Sequence, residues 1–342
     1  MSIYPLAREL LFRLEAEQAH ALTLKLVSIA GKLPPVGLLL RRWFTAPQKP
    51  RQVFGLSFAN PVGLAAGYDK DGLAWRGLAC LGFGHIEVGT VTPKPQSGNA
   101  RPRLFRLPEK HALINRLGFP GKGAAFVSRQ LTGKRPPGLV LGVNLGKNKD
   151  TPLEAAAQDY LQLLPVFAPL ADYLAINVSS PNTIGLRRLQ ARQALDALLK
   201  AFLDERRLQM QQLGRPIPVL VKLAPDLSDE QLDDALQVLL DCSVDGVIAT
   251  NTTLQRPGLD HPLAGQAGGL SGAPLEAIST AQVEKIYQRT GGQLPIVGVG
   301  GVMGPQDAQR KLDAGATLVQ VYTGMVYAGP GLVRRIVQDI EF

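Results

Sequence analysis

Three polar residues stand where apolar runs or turns of the sequence end, at positions that could do chemistry. Lys222 closes one apolar run, Ser180 follows another, and Lys70 follows a glycine-containing turn. A buried lysine needs an anionic partner, which for Lys222 is either the N1–O2 edge of a flavin or a nearby acid such as Asp226. Lys70 either binds a substrate carboxylate or is an exposed loop lysine.

Ser180 lies in the stretch Ser-Ser-Pro-Asn-Thr of residues 179–183. Neither a Gly-x-Ser-x-Gly motif nor a neighbouring histidine accompanies it, so a hydrolase triad is unsupported. Two interpretations stay open: a helix cap, or a proton acceptor in a loop that closes over the substrate. Because serine is a weak base, the second one requires a substrate with an acidified C–H bond and a proton relay.

Amides and glycines also occur at strand ends. Asn144, Asn177 and Asn251 each offer a donor and an acceptor, which suits an imide ring. Glycines in residues 298–302 and 322–324 are either plain turns or loops that bind phosphate through backbone N–H groups. After the first two glycines at dinucleotide spacing the third comes one residue too late, so a monophosphate cofactor is favoured over NAD or FAD.

Eight apolar runs alternate with helical patterns after residue 51, and most lack polar alternation, as strands buried on both faces should. They predict a (β/α)₈ TIM barrel, with a doubly wound open sheet as the alternative. The predicted strands are Val62–Ala65, Ile86–Val88, Val140–Asn144, Leu174–Val178, Val219–Lys222, Val247–Thr250, Ile296–Val299 and Leu318–Tyr322. Two long connections, residues 92–138 and 253–275, are expected to carry function.

The first 46 residues predict a helical segment that is separate from a barrel domain of residues 47–342. Residues 5–31 indicate two helices, the second ended by Gly31. Residues 36–44 combine leucines, two arginines and two aromatics. This composition is typical of a helix at a membrane interface, or it forms a lid on the barrel.

Composition limits the kinds of partner that this protein is expected to bind. The 342-residue chain has a formal net charge of +9, and residues 1–52 hold eight Lys/Arg against three acids. Without a nucleic-acid-binding motif, this excess predicts a solvated face or a membrane surface. Two cysteines without a Cys-x-x-Cys motif, and four scattered histidines, predict neither a metal site nor a disulfide framework. No apolar run is long enough to span a bilayer.

Four segments together resemble the class 2, quinone-dependent dihydroorotate dehydrogenases, over about residues 4–337. These segments are Asn60–Gly67, Asn115–Phe119, Ile176–Thr183 and Gly268–Gly272. Class 1 enzymes place a cysteine at the position of Ser180 and lack an N-terminal extension, whereas this chain has the serine and the extension. Tyr68 stands where many relatives have leucine, and no change of role is expected.

The resemblance implies that FMN is the cofactor. The residues implied to bind FMN are Ala65, Ala66, Gly67, Asp69, Thr90, Asn144, Asn177, Lys222, Thr250, Gly272, Gly301, Tyr322 and Thr323. Those implied to bind dihydroorotate are Lys70, Asn115, Arg116, Leu117, Gly118, Phe119, Asn177, Asn182, Asn251 and Thr252. Ser180 takes the position of the catalytic base, with Phe119 beside it and Thr183 relaying the proton through water.

The implied reaction takes a proton from C5 of dihydroorotate and passes hydride from C6 to FMN, which yields orotate for pyrimidine (UMP) synthesis. A membrane quinone then reoxidises FMN, and its expected site is lined by His20, Arg106 and Tyr322. The resemblance further implies a monomer attached through residues 1–46 to the cytoplasmic side of the bacterial inner membrane, without a metal or a nucleic-acid partner.

Two other functions are compatible with a barrel. One is a cytosolic class 1 enzyme that uses fumarate or NAD, which Ser180 and residues 1–45 disfavour. The other is a catalytically silent barrel that serves as a membrane-bound binding module. The presence of Lys70, Asn182 and Lys222 together with Ser180 argues against such a loss of activity.

Overall fold

A computed structural model describes residues 4–342, with helices and strands alternating over most of that length. The strands are β1 (Arg51–Val53), β2 (Leu56–Phe58), β3 (Val62–Leu64), β4 (His85–Val91), β5 (Leu104–Leu107), β6 (Ala112–Asn115), β7 (Val140–Leu145), β8 (Tyr173–Asn177), β9 (Val219–Leu223), β10 (Gly246–Ala249), β11 (Gly269–Gly272), β12 (Ile296–Val299) and β13 (Leu318–Val321). The helices are α1 (Tyr4–Phe12), α2 (Ala16–Lys32), α3 (Pro34–Phe44), α4 (Trp75–Leu78), α5 (Ala124–Leu131), α6 (Ala156–Phe167), α7 (Arg192–Leu213), α8 (Asp229–Asp241), α9 (Glu276–Thr290), α10 (Pro305–Asp313), α11 (Thr323–Ala328) and α12 (Leu332–Asp339).

Eight parallel strands close into a barrel in the order β10, β12, β13, β3, β4, β7, β8, β9. Leu220 and Ile248 pack inside the barrel, whereas their chain neighbours Val219, Val221 and Val247 pack beneath the helices. Both faces of each strand are therefore buried, which explains the continuous apolar runs. The predicted TIM barrel is confirmed, and the open sheet is wrong because β9 and β10 pair to close the ring.

A hairpin closes the end of the barrel opposite the strand carboxyl ends. Its strands β1 and β2 pair through Val53 and Leu56, and the turn between them is Phe54-Gly55. Phe58 is fully buried within the barrel. A Cβ on Gly246 would lie 2.4 Å from the Phe54 ring, so only glycine at this position leaves room for the hairpin.

The two long connections contain a second, three-stranded antiparallel sheet in the order β11, β6, β5. Its own small core includes Leu107, Ile114 and Leu270, all fully buried. Sequence patterning did not predict these strands, since each has four residues within a stretch rich in glycine and proline. The pairing of β6 with β11 joins segments about 150 residues apart and is a tertiary event.

Helices α1–α3 precede the barrel. The predicted end of α2 at Gly31 is wrong, because the helix continues to Lys32. A Cβ on Gly31 would lie 2.5 Å from the backbone N of Gly77, and one on Gly77 would lie 2.1 Å from the carbonyl O of Val27. Gly31 thus permits α2 to approach α4 closely and is not a helix stop.

Membrane-spanning potential is limited to one bent combination. Among the helices described in residues 4–342, none alone has the length and apolarity of a membrane span, and α2 with α3 pass that test only together, as a pair bent by 108°. Residues 1–3 of the predicted membrane-associating segment lie outside the described residues.

Candidate active site

A cavity of about 940 Å³, including its open mouth, lies at the carboxyl ends of the barrel strands. This is the face where TIM barrels hold their active sites. The predicted site residues in its lining are Ala65, Ala66, Gly67, Lys70, Thr90, Asn115, Leu117, Gly118, Phe119, Asn177, Ser180, Asn182, Lys222, Thr250, Asn251, Thr252, Gly272, Gly301, Tyr322 and Thr323. Four others, Asp69, Arg116, Asn144 and Thr183, do not line it.

Arg116, predicted to contact the substrate, points away from the cavity. Its guanidinium donates to Gln266 Oε1 at 2.8 Å and to the Pro102 carbonyl at 2.9 Å, and it lies over the Phe105 ring. Its backbone carbonyl accepts from Asn99 Nδ2 at 2.9 Å. The side chain therefore holds the loop that presents its neighbours. The sequence could not give its direction, because one of its acceptors, Gln266, lies 150 residues away and is brought near only by the fold.

Asp69 supports the turn that carries Lys70. Its carboxylate accepts from the N–H groups of Leu73 at 2.8 Å and Ala74 at 2.7 Å. Burial raises the pKa of Asp69 to about 6, although these backbone hydrogen bonds oppose the rise. The Asp69 carboxylate therefore holds the turn that carries Lys70 and does not line the cavity, and its contact with FMN stays a prediction.

Lys222 is a buried cation, with 5% of its surface exposed, at the end of β9. Burial lowers its pKa, and the charge of Glu87 opposes that shift. It makes no hydrogen bond or ion pair within residues 4–342. Asp226, the alternative partner, instead pairs with Arg187 at 2.7 Å. A buried, unpaired ammonium in a cavity lining suits an anionic group of a ligand.

A ladder of buried amides lies beside this lysine. Asn177 Nδ2 donates to Thr90 Oγ1 at 2.9 Å and to Asn144 Oδ1 at 3.1 Å, while Asn144 Nδ2 donates to Glu87 Oε1 at 2.8 Å. Because a carboxylate only accepts, Glu87 fixes which end of Asn144 faces Asn177. Asn144, which lies outside the cavity lining, thus orients the side-chain amide of Asn177, which lies within it. Glu87 was missed, although an acid inside the apolar run of β4 could have signalled it.

Glycines after β12 form a cradle. Gly300 and Gly301 have φ of +118° and +72°, and a Cβ on Gly301 would lie 2.3 Å from the Cα of Glu276. The backbone N–H groups of Gly301, Thr323 and Gly324 donate to no acceptor in the described part of the chain, although all three residues line the cavity. Such convergent N–H groups bind phosphate, so the residues present fit FMN.

Lys70 and three asparagines face the rest of the cavity. Lys70 Nζ donates to the Gly67 carbonyl at 2.5 Å, so it is not a free loop lysine. Burial lowers the pKa of Lys70 to about 8, and the charges of Glu17 and Asp71 oppose the shift. Asn182 Nδ2 donates to Asn115 Oδ1 at 3.0 Å. Together these groups offer a cation and several amides to an acidic, ring-shaped ligand.

Ser180 does not cap a helix. The next helical turn, residues 186–190, begins after Gly185, and Ser180 Oγ instead accepts from the Asn182 N–H at 3.2 Å. Its oxygen thus stays within the cavity lining, with the hydroxyl proton uncommitted. Thr183 is buried, and its hydroxyl has no hydrogen-bond partner among residues 4–342. The cap interpretation is therefore wrong.

Three residues that the sequence did not reveal hold the loops above the cavity. Gln96 Nε2 donates to the Phe119 carbonyl at 3.0 Å, and Asn99 Nδ2 donates to the Asn182 carbonyl at 3.2 Å. Arg187 joins the loops after β8 and β10 through the carbonyls of residues 179 and 252. Gln96 and Asn99 lie in irregular segments and Arg187 in the short helical turn of residues 186–190, where no sequence period marks a contact.

A second cavity, of about 520 Å³, lies between α1, α2 and the barrel. His20, Arg106 and Tyr322 line it as predicted, and Tyr322 also lines the first cavity. Most of its other lining is apolar or aromatic. Burial lowers the pKa of His20 to about 4, so the ring is neutral near pH 7. Its Nε2 lies 2.8 Å from the Tyr68 carbonyl and must carry the hydrogen, since a carbonyl only accepts.

A closed barrel with an unpaired buried lysine, an amide ladder and a phosphate cradle defines a class of enzyme that holds a flat, phosphate-bearing cofactor at the strand ends. The comparison with known proteins is more specific. The profile of the family described as dihydroorotate dehydrogenase matches residues 50–342. The chain belongs to the dihydroorotate dehydrogenase family.

Relatives and solved structures agree. Proteins named dihydroorotate dehydrogenase (quinone) from Acidithiobacillus ferrooxidans and Burkholderia pseudomallei are 50% and 52% identical to this chain. The matches cover 98% and 99% of this chain and 94% and 98% of the relatives. A crystal structure of DHODH from Eimeria tenella in complex with ferulenol is 40% identical, with a TM-score of 0.86, over 94% of this chain and 90% of that one.

Proposed function

We propose that dihydroorotate is oxidised in the strand-end cavity and that the quinone enters through the second cavity. The assignment of the activity rests on the family and on its quinone-dependent relatives. The enzyme oxidises dihydroorotate to orotate in pyrimidine biosynthesis, with FMN as cofactor and a quinone as electron acceptor. The observation that ties this activity to the cavity is the buried ammonium of Lys222, which has no partner within residues 4–342.

FMN, when bound, accepts a hydride from the substrate and yields the electrons to quinone. The N–H groups of Gly301, Thr323 and Gly324 would hold its phosphate, and Lys222 would face the edge of the ring that gains negative charge. Asn177 would present its amide to the ring, held by Asn144 behind it. In this arrangement the chain supplies charge and orientation, and the cofactor supplies the redox chemistry.

Lys70 would bind the carboxylate of dihydroorotate. It carries its charge below a pKa of about 8, and Asn115, Asn182 and Asn251 would bind the ring amides. Ser180 would take the proton from C5, because its oxygen lines the cavity and its own proton is uncommitted. As it does so, Ser180 would release its own hydroxyl proton through water to Thr183, whose buried hydroxyl has no partner in the described chain.

Residues 1–46 would form a segment that rests on the cytoplasmic face of the inner membrane. Eleven of the seventeen large apolar side chains exposed in residues 4–342 lie between Leu6 and Trp43, and the second cavity lies under the same helices. A quinone dissolved in lipid would thus enter beneath α1 and α2. The other six are spread along the chain and form no second apolar stretch in sequence, which supports a monomer.

The test separates the two half-reactions. Under anaerobic conditions, dihydroorotate should bleach the flavin absorbance of the purified enzyme, and a soluble short-chain quinone should restore it. Fumarate and NAD should not restore it. A flavin that dihydroorotate does not bleach would contradict the assignment of the cavity, and reoxidation by fumarate or NAD in place of quinone would contradict the assigned acceptor.

A further inference from the structure

A second buried lysine lies behind the glycine cradle, outside the cavity lining. Lys311 on α10 has no exposed surface, and its side chain packs against β12, where a Cβ on Gly298 would lie 3.1 Å from its Cδ. Its Nζ donates to Ser279 Oγ at 2.6 Å and to Thr280 Oγ1 at 2.9 Å. It has no ion pair with any carboxylate of residues 4–342. A buried cation that contacts only hydroxyl groups is costly unless another charge compensates it.

The charged neighbours of Lys311 do not supply that compensation by contact. Glu276, at the start of α9, accepts from Thr280 Oγ1 and from Arg310 Nε, both at 3.0 Å. Asp307 pairs with Arg310 as well. Burial lowers the pKa of Lys311 to about 8, while Glu276 and Asp307 raise it and Arg310 lowers it. The two acids thus pair with an arginine, and Glu276 reaches Lys311 only through the Thr280 hydroxyl.

The hydroxyl that Lys311 contacts reaches the cradle. Ser279 Oγ donates to the Gly300 carbonyl at 2.8 Å. In a trans peptide the carbonyl and the following N–H point in opposite directions. Holding the Gly300 carbonyl on the side of Ser279 therefore turns the N–H of Gly301 to the other side, and both glycines line the cavity.

We propose that Lys311 is a positioning residue for the cofactor phosphate: through the Ser279 hydroxyl it fixes the peptide that follows Gly300, and its ammonium supplies positive charge beneath the bound phosphate. This inference rests on the proposed function, because it takes the FMN phosphate to lie at the glycine cradle. The phosphate is then the anion that compensates the buried charge. An ammonium acts here without touching the ligand, as a fixed charge in a medium of low dielectric constant.

The test compares two flavins that differ by the phosphate alone. FMN affinity is measured from the flavin released on dilution of the full-chain holoenzyme, and riboflavin affinity from a titration of the flavin-depleted full chain. Lys311→Met should weaken FMN binding about tenfold or more and change riboflavin binding less than about twofold. Lys285→Met, which removes an exposed lysine of α9 paired with Asp229, should change neither.

Equal weakening of both flavins in Lys311→Met would show a general packing role and overturn the proposal, as would unchanged FMN binding. Should Lys311→Met fail to fold, Ser279→Ala keeps the proposal testable, because it removes only the hydroxyl between the lysine and the cradle. It should weaken FMN about threefold or more with riboflavin unchanged, and intact FMN binding would overturn the proposal. Wild-type enzyme that holds no FMN would instead contradict the proposed function itself.

The pH dependence provides a second readout. A bound phosphate dianion raises the pKa of a nearby ammonium, so FMN affinity is full below the free-state pKa of about 8 and falls as the pH rises above it. Part of this fall belongs to Lys70, whose pKa burial also lowers to about 8. The decline from pH 7.5 to pH 9.5 should therefore be smaller in Lys311→Met than in wild type, and an identical decline would contradict the role of Lys311.

Discussion

The two cavities are built by different means. Residues on seven of the eight barrel strands or their following loops, all but β7, line the strand-end cavity, and its polar groups are held by networks such as Asn144 with Glu87. Helices outside the barrel form the second cavity, and a few long-range contacts hold them, among them Glu17 with Arg103 and Ser28 with the Leu73 carbonyl. The closed barrel thus surrounds the proposed chemistry, and helices packed on its outside surround the proposed exchange with the membrane.

This difference suits the two substrates. Proton and hydride transfer depend on atoms placed to within a fraction of an ångström, which a closed barrel provides. A long apolar quinone needs an opening wide enough to enter and leave, and helices on the surface provide it at the expense of stability. The two cavities share Tyr322, so the separation of the half-reactions can be tested by variants on either side of it.

The largest expected effect lies in the strand-end cavity. Ser180→Ala removes the proposed base, so the anaerobic bleaching of the flavin by dihydroorotate should slow by about 10²–10⁴-fold. FMN content and the rate of reoxidation by quinone should stay unchanged, because the serine contacts neither in this arrangement. Stopped-flow absorbance measures both rates. Bleaching at the wild-type rate would remove Ser180 from the mechanism.

The ion pair that holds α2 to the rest of the protein should affect stability more than activity. Glu17 pairs with Arg103 at 2.6 Å, and the side chains are 19% and 6% exposed. Glu17→Gln leaves the nearly buried arginine without its anion, and should lower the free energy of unfolding by about 2 kcal/mol, between the values for surface and buried pairs. Urea denaturation at pH 7 measures this loss. Glu154→Gln, at an exposed acid that makes no ion pair within residues 4–342, is the control and should change little.

The same variant gives a pH prediction. The hydrogen bond and charge of Arg103 lower the pKa of Glu17 below its ordinary value of 4.5. The pair therefore stabilises the fold above that value, and its contribution is lost as the pH falls through the lowered pKa. Wild type and Glu17→Gln should differ most at neutral pH and converge as the pH falls through that lowered pKa. A difference that persists unchanged into acid would contradict the assigned pair.

Arg106 ties the turn between α1 and α2 to the wall of the second cavity. It donates to the Leu11 carbonyl at 3.1 Å and lies 4.6 Å from the centre of the Phe12 ring. Arg106→Gln should slow reoxidation of the flavin by quinone about tenfold and leave bleaching by dihydroorotate unchanged. Arg129→Gln, at an exposed arginine of α5, is the matched control. Equal loss in both half-reactions would mean that the two cavities are not independent.

The smallest expected effect concerns the proposed membrane surface. Leu38 on α3 is 67% exposed, and Leu208 on α7, outside the segment, is 53% exposed. Leu38→Asp should weaken binding to vesicles of bacterial lipid composition about threefold to tenfold, since it removes one leucine side chain from the apolar surface. Leu208→Asp should not. Activity with a soluble quinone should be equal in both, and equal vesicle binding by the two variants would contradict the proposed surface.

Much of this architecture could be predicted from local sequence. Continuous apolar runs such as Val219–Lys222 are buried on both faces wherever they fold, so they identify barrel strands without knowledge of their partners. The polar residue that ends each run, such as Lys222 or Asn177, must then lie at the same face as the others. These two facts place Asn177 and Lys222 in the strand-end cavity, whereas Asn115 and Leu117–Phe119 were implied only by the family resemblance.

Long-range contacts determined the features of the fold and the site that local sequence did not predict. Arg116 turns outward because its acceptors lie on a distant segment, Asp226 pairs with Arg187 and leaves Lys222 alone, and Gly31 permits helix contact where sequence indicated a stop. The small sheet of β5, β6 and β11 likewise exists only when two loops meet. Periodicity and composition determined which elements form and which chemical groups they carry. Only tertiary structure determined where those side chains point, because their partners are distant in sequence and become neighbours only when the barrel closes.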